Sequence, residues 1–294
     1  MADQARLFVF GLGYSATAFA RASLTGIGWV GGTVRSVEKA RSLAGEGMHA
    51  LRFDGIARDG AVAEAVAGAT HILISIVPGE AGDPVLATYA ADIRAASNLR
   101  WIGYLSTIGV YGAYGGAWIN ERTIPHPSHD RSRERLKTEA AWRSLAKQAD
   151  VPLAIFRIAG IYGPGRNALV NLAEGKSHRI VKPGQVFNRI HVADIALTID
   201  AAVRRDAGGI YNVSDDEPAP PQDVIDYAAD LMGVAKPANV SLESAAISEM
   251  ARSFYADNRR VMNRRIREEL GVALRYPTYR EGLSALWRSG TWRG

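Results

Sequence analysis

Apolar residues recur along the first two-thirds of the chain in short blocks separated by stretches of helical spacing. This alternation predicts a parallel sheet covered by helices. RLFVFGLG reads as a strand ending in glycines, SATAFARASLTG as a helix closed by Gly26, WVGGTVRS as a second strand and SVEKARSLAGEG as a second helix. MHALRFDG predicts a third strand and GAVAEAVAGA a short helix. HILISIVPG is a β-branched run of the kind found in a strand buried on both faces. In DPVLATYAADIRAAS, Asp83 is placed to cap a helix and Pro84 to occupy its first turn. RWIGYLSTIGVYG follows as a strand with its loop, HDRSRERLKTEAAW as a strongly charged helix starting near His129, and VPLAIFRIAGIYGPG as a further strand.

Near residue 165 the rhythm changes. NALVNLAEGK is helical, RIVKPGQVFNRIHV predicts a short hairpin or extended segment, and ADIALTIDAAVRR a helix. GIYNVSDDEPAPP gives one more strand and a Pro-rich turn, PQDVIDYAADLMG a helix, and the arginine-rich tail is mixed and helical. With no internal repeat and no long linker, the pattern describes a C-terminal lobe that the chain enters, leaves and re-enters.

Composition narrows the class. The 294 residues are 47% hydrophobic and 22% charged, as in a globular chain able to bury a large core. The absence of cysteine excludes disulfides, thiolate nucleophiles and cysteine metal sites, and fits a reducing cytoplasm, the expected location. MADQARLFVFGLG runs straight into a strand without the charged and apolar regions of a leader, and no apolar run approaches the ~20 residues that span a bilayer. The net charge of +5 collects in the tail, and elsewhere bases mix with acids, so a solvated face is expected rather than a nucleic-acid surface. RRVMNRR in that tail reads as such a face, or as a grip on an anionic substrate. His126 and His129 flank a Pro-Ser pair without further clustered ligands, so no metal site is expected.

GLGYSA, from Gly11 to Ala16, lies directly after a strand and before a helix, as a G-x-G-x-x-G/A phosphate loop requires. Gly11 permits the tight turn, Gly13 lets the backbone approach a pyrophosphate, and small Ala16 allows close helix–strand packing. Tyr14 and Ser15 complete a helix N-terminus that favours negative charge. An acidic residue at the end of the second strand would grip the ribose of NAD; Arg35 and Ser36 stand there instead, with Lys39 one turn on. A guanidinium makes paired, charge-assisted contacts with a 2′-phosphate, so NADP(H) is expected over NAD(H).

Taken together, GLGYSA, TVRS, RFDG, ILISIVPG, LSTIGVYG, FRIAGIYGPGRN, NRIHVADIA and YNVSDDEPAPP resemble, in order and spacing, the extended and atypical short-chain dehydrogenase/reductases, the NAD(P)-dependent epimerase/dehydratase group. The resemblance implies an α/β fold: a Rossmann-type doubly wound parallel sheet with a small discontinuous C-terminal substrate lobe. The expected division is residues 1–165 with about 188–214 in the dinucleotide-binding domain, and 166–187 with 215–294 in the lobe. It also implies Asp54 near the adenine, Ser75 to Pro78 near the cofactor ribose, and a homodimer through the helices after the fourth and fifth strands.

The chemistry of that family rests on a Ser/Thr that binds the reacting oxygen and on a Tyr and a Lys four residues apart. Thr107 takes the hydroxyl position, but Arg131 and Arg135 fall where the resemblance puts the Tyr and the Lys. None of the lysines has a tyrosine four residues before it. Ile108 and Gly109 occupy the places of the dehydratase Asp-Glu pair, and Arg189 sits two positions later than the arginine of nucleotide-sugar members, which disfavours such a substrate. Tyr111 and Tyr162 are expected at the carboxyl ends of strands. Tyr111 is either a packing aromatic or a proton donor whose phenol is acidified by Arg131 or Arg135. Tyr162 either lines the nicotinamide pocket or supplies the acid. His191 either bonds backbone between the lobes or acts in chemistry, and Asp194 opens a helix.

Two readings follow. The first is an NADP(H)-dependent oxidoreductase or epimerase-like enzyme acting on a small carbonyl or hydroxyl substrate, with Thr107 orienting the oxygen, an arginine stabilising charge and the proton coming from Tyr111 or water. The second is a catalytically degenerate NADP(H)-binding protein that reports redox state to a partner.

Overall fold

The computed structural model describes residues 5–24, 26–245 and 247–294. The first four residues, part of the leader-free reading, and Thr25, part of the first predicted helix, lie outside them. The alternation expected from the pattern is present: β1 (Arg6–Phe10), α1 (Tyr14–Ser23), β2 (Trp29–Val34), α2 (Val37–Gly45), β3 (His49–Arg52), α3 (Gly60–Ala67), β4 (His71–Ile74), α4 (Pro84–Ala95) and β5 (Trp101–Thr107). A 3₁₀ turn at Ile108–Tyr111 leads to β6 (Trp118–Ile119), α5 (Asp130–Gln148), β7 (Leu153–Ile158), β8 (Gly160–Tyr162), α6 (Ala168–Ala173), β9 (Arg179–Ile180), β10 (Arg189–His191), α7 (Val192–Val203) and β11 (Gly209–Val213). The remainder holds α8 (Pro221–Met232), β12 (Asn239–Val240), α9 (Glu249–Phe254), β13 (Arg260–Val261), α10 (Arg264–Glu268) and α11 (Tyr279–Ser289).

Seven strands form one parallel sheet in the order β11-β7-β5-β4-β1-β2-β3. The order reverses between β1 and β4, where doubly wound sheets open a crevice at the strand carboxyl ends. β1 explains why a continuous apolar run is needed there. Side chains alternate across a strand, so Leu7 and Val9 enter the core under α1 and α7, while Phe8 and Phe10 enter the one under α3, α4 and α5. Both faces of β1 are fully buried, as a sheet covered by helices demands.

Helix starts follow their local chemistry. Asp83 caps α4 by accepting from the amides of Val85 (2.8 Å) and Leu86 (3.1 Å), and its other oxygen accepts from Trp142 Nε1 of α5 at 2.9 Å. The same carboxylate therefore starts one helix and fastens the next. α11 carries a reciprocal capping box between Thr278 and Glu281.

One sequence expectation is decided and another changes. RIVKPGQVFNRIHV takes the extended alternative rather than the hairpin: β9 pairs in parallel with β12, and β10 in parallel with β8. VPLAIFRIAGIYGPG is not one strand. It breaks at Ala159, so β7 stays in the main sheet while β8 leaves to join β10. A separate apolar cluster, including Tyr162, Leu169, Val224, Tyr279 and Leu283, holds α6, α8 and α11 together. Asp194 at the start of α7 ties in the tail, its two oxygens accepting from the amides of Arg275 (2.6 Å) and Tyr276 (3.1 Å).

Candidate functional site

The glycine loop closes the crevice at the sheet reversal. Gly11 has φ +90°, and a Cβ there would stand 2.7 Å from Ile76 Cγ1, just past β4. Its amide donates to Thr33 Oγ1 at 2.9 Å, which fixes the loop against the end of β2. Gly13 caps α1 without a side-chain hydrogen bond, and a Cβ there would meet only Gly11 O at 4.0 Å. The first-turn amides of α1 are thus presented beside an open backbone face, the arrangement that receives a phosphate. Ser15 and Ala16 are buried in that turn. Half-exposed Tyr14 crosses to the opposite loop, its hydroxyl donating to Pro164 O at 2.8 Å.

Arg35 is exposed immediately past β2. Ser36 caps α2, its Oγ accepting from Lys39 N at 3.3 Å, a role the sequence reading had not assigned to it. Asp54 is exposed in a turn at Gly55 (φ +93°), and its Oδ1 accepts from Ile56 N at 3.0 Å. That amide holds its carboxyl below the usual aspartate range. Ser75 extends the pairing of β4, its amide donating to Phe10 O at 2.8 Å, and Pro78 follows half-buried in the loop.

At the end of β5, Thr107 Oγ1 accepts from Gly109 N at 3.0 Å, leaving the hydroxyl proton for another acceptor. Ser132, buried in the first turn of α5, stands on the same spot: a Cβ on Gly109 would lie 3.1 Å from Ser132 Oγ and 3.3 Å from Thr107 Oγ1. The sequence reading missed this second hydroxyl. Its signal is a small polar residue, one position past Arg131, in the turn that faces the end of β5.

Of the two alternatives for Tyr111, the structure shows the packing aromatic, and the two arginines lie elsewhere than beside it. Tyr111 is fully buried and donates to Asn212 Oδ1 at 2.8 Å. Burial pushes its phenol upward, and the guanidinium over its ring, at 4.7 Å, belongs to Arg157. Neither Arg131 nor Arg135 acidifies it. Arg131 is exposed, donates to Ser253 Oγ at 2.7 Å and stands 4.7 Å above the Phe254 ring. Arg135 donates to Leu105 O at 2.5 Å and lies 5.8 Å from the Tyr104 ring centroid. Both are engaged in packing, one against α9 and the other against β5.

Tyr162 is also turned from its expected place. It packs into the C-terminal cluster, donates to Thr278 O at 3.3 Å, and occupies the space a Cβ on Gly282 would need. Burial raises its phenol far above the normal range, which disfavours its ionisation. Arg189 donates to the carbonyls of Phe187 (2.9 Å) and Ala219 (3.1 Å). Beside it, burial pushes the Asp215 carboxyl up to about 8 against the opposing pull of Arg189. His191 caps α7 by accepting from Ala193 N at 3.1 Å, so its Nδ1 is the unprotonated nitrogen. Its Nε2 is buried without a partner among the described residues, and burial, with help from Arg275, brings the imidazole down to about 4. His191 is thus a neutral cap. Among the described residues there is no group of three or more His, Cys, Asp or Glu side chains arranged for a metal ion, and no helix long and apolar enough to cross a membrane.

No protein-family model matches the chain. A conserved protein of unknown function from Silicibacter pomeroyi is 45% identical, with 97% of this chain and 99% of that one covered and a TM-score of 0.87. UDP-glucuronic acid 4-epimerase from Bacillus cereus, solved with NAD, is 16% identical over 96% of this chain and 97% of its own, with a TM-score of 0.74. dTDP-glucose 4,6-dehydratase from Bacillus anthracis, also solved with NAD, is 16% identical over 98% and 96%, with a TM-score of 0.76. A curated relative, a 3-diazoavenalumate denitrifying reductase from a Streptomyces species, is 26% identical over 159 residues, 50% of this chain. The chain spans about half the length (51%) of that relative. It belongs to one family with the Silicibacter pomeroyi protein and is built on the fold of the NAD-dependent epimerase/dehydratase proteins, the extended short-chain dehydrogenase/reductases.

Proposed function

We propose that the chain binds a nicotinamide dinucleotide along the β1–α1 loop, NADP(H) in preference to NAD(H), and exchanges hydride with a small carbonyl or hydroxyl substrate. The observation that carries this is the cradle at Gly11 and Gly13. One glycine folds tightly onto Ile76, the other leaves an open backbone face, and α1 begins there with its amides uncapped by any side chain. These residues fit a pyrophosphate, and Arg35 past β2 fits a 2′-phosphate. When bound, the nicotinamide gives or takes the hydride.

The chain's own part is positioning. Thr107 keeps a hydroxyl proton for the substrate oxygen, and Ser132 offers a second hydroxyl to the same place. Proton exchange falls to solvent water, because an arginine does not deprotonate and the Tyr111 phenol is committed to Asn212. NAD in the structures of the epimerase and the dehydratase, and the reductase activity named for the Streptomyces relative, support hydride chemistry.

Titration with NADPH and NADH, followed by oxidation of NADPH against a panel of carbonyl compounds, tests this reading. NADPH binding with turnover on a panel member supports it; no dinucleotide binding overturns it. Tight NADPH binding with no turnover and capture of a protein partner favours the second reading, a non-catalytic redox reporter. The engagement of Arg131 with Ser253 and of Arg135 with Leu105 O speaks for that alternative.

A further inference from the structure

Between α6, β9, α8 and α9 lies an open cleft of about 270 Å³, with Phe254 half exposed at its rim. Ile180, Phe187, Ile225, Ile247 and Phe254 give it apolar walls, and the segment joining α6 to β9 adds the Lys176 ammonium and the His178 ring nitrogens. No aspartate or glutamate lines it among the described residues. Lys176 pairs with Glu174 at 2.8 Å, but both are exposed, and such pairs contribute little and yield readily to a better-placed anion. The cavity is just below the ~300–1,000 Å³ of ordinary ligand sites, enough for a fused ring but not for a nucleotide sugar.

Its wall is fastened to the helix that carries Ser132. Arg131 holds Ser253 and stacks on Phe254, and His129 Nε2 donates to Ser253 O at 3.1 Å. Phe254 therefore belongs both to the cavity lining and to the contact with Arg131, in the first turn of the helix that carries Ser132. We infer that the cavity is the specificity pocket of this site and takes the flat apolar body of an aromatic carboxylic acid, with the carboxylate toward Lys176 and His178. Its role as a substrate pocket rests on the hydride-transfer reading; its binding of aromatic acids does not.

Calorimetric titration of the full chain with 2-naphthoate, its neutral amide and UDP-glucose tests the inference, alongside a separate NADPH titration. Naphthoate is expected to bind about tenfold more tightly than the amide. Ala251→Trp, which fills the cavity, is expected to weaken naphthoate by about tenfold or more while NADPH affinity stays the same. Replacing Lys176 and His178 by alanine is expected to erase the preference for the acid but to keep amide binding. Should Ala251→Trp fail to fold, Ile225→Phe replaces it, with folding checked by thermal melting. Absence of naphthoate binding, equal binding to the filled variant, or displacement by UDP-glucose overturns the pocket. A failure of NADPH to bind overturns the proposed function and leaves the naphthoate result to decide the pocket alone.

Discussion

Arg157 of β7 grips Glu139 of α5 with both arms of its guanidinium, Nε to Oε1 at 3.1 Å and Nη2 to Oε2 at 2.7 Å, with the two side chains only 2% and 0% exposed. Ser106 Oγ donates to the same carboxylate at 2.7 Å and Arg143 at 3.1 Å, so β5, β7 and α5 meet on one anion. Removing Arg157 takes the buried partner away and leaves the Glu139 carboxylate with Ser106 and the partly exposed Arg143 alone. Arg157→Leu is expected to cost about 3–5 kcal/mol in urea unfolding, and Arg157→Leu combined with Glu139→Gln to recover much of that loss. A single variant within about 1 kcal/mol of the parent would contradict this account of the pair.

His191 ties stability to pH. Its unfolded imidazole titrates near 6.5 and its folded one near 4, so below about 6.5 the unfolded chain takes up a proton that the folded chain refuses. The stabilisation is complete above 6.5 and is lost as the pH falls toward 4, up to about 3 kcal/mol. His191→Asn keeps a cap for Ala193 N but cannot titrate. Denaturation midpoints at pH 7 and pH 5 should therefore converge in the variant; an unchanged gap between them would assign the acid loss to other groups.

Arg35 should govern the choice of dinucleotide. Arg35→Ala is expected to weaken NADPH by roughly 10- to 100-fold, the worth of a hydrogen bond to a charged group. NADH affinity should change by less than about twofold, because its ribose carries no phosphate for the guanidinium to meet. Parallel fluorescence titrations read this directly, and an equal loss for both dinucleotides would remove Arg35 from the selection.

The hydroxyls and the phenol should separate in turnover. Thr107→Val is expected to lower kcat/KM by about 100-fold with NADPH affinity unchanged, the scale of losing one pre-positioned donor. Ser132→Ala should have a smaller effect in the same direction. Tyr111→Phe should leave kcat/KM intact while costing roughly 1–2 kcal/mol of stability, since it orphans buried Asn212. A Tyr111→Phe variant that folds normally but has no turnover would restore the phenol as the acid.

The sheet and the glycine loop were legible because they are local: GLGYSA lies between its strand and its helix, and the double-sided burial of β1 is written in RLFVF. The short parallel pairs were not, because Trp118 meets Arg260 and Arg179 meets Asn239 across long separations that leave no periodicity. Tyr162 misled for a related reason. Its place after a strand suggested the cleft, whereas the absence of a side chain on Gly282, far along the chain, gives it room in the lobe. Arg157 did carry a signal, a cation within the apolar run LAIFRI that could only be buried with a partner, and Glu139 is that partner.

The contact between Arg131 and α9 also constrains how this protein can change. A tyrosine at 131 would have to abandon Ser253 and Phe254 before it could serve as an acid. A Tyr and a Lys at 131 and 135 would therefore loosen the contact between α5 and α9 along with the Phe254 wall of the cavity. In the proposed pocket, an acid at position 131 would come at the expense of the Phe254 wall, so proton transfer from this helix and grip on an aromatic body compete for one side chain.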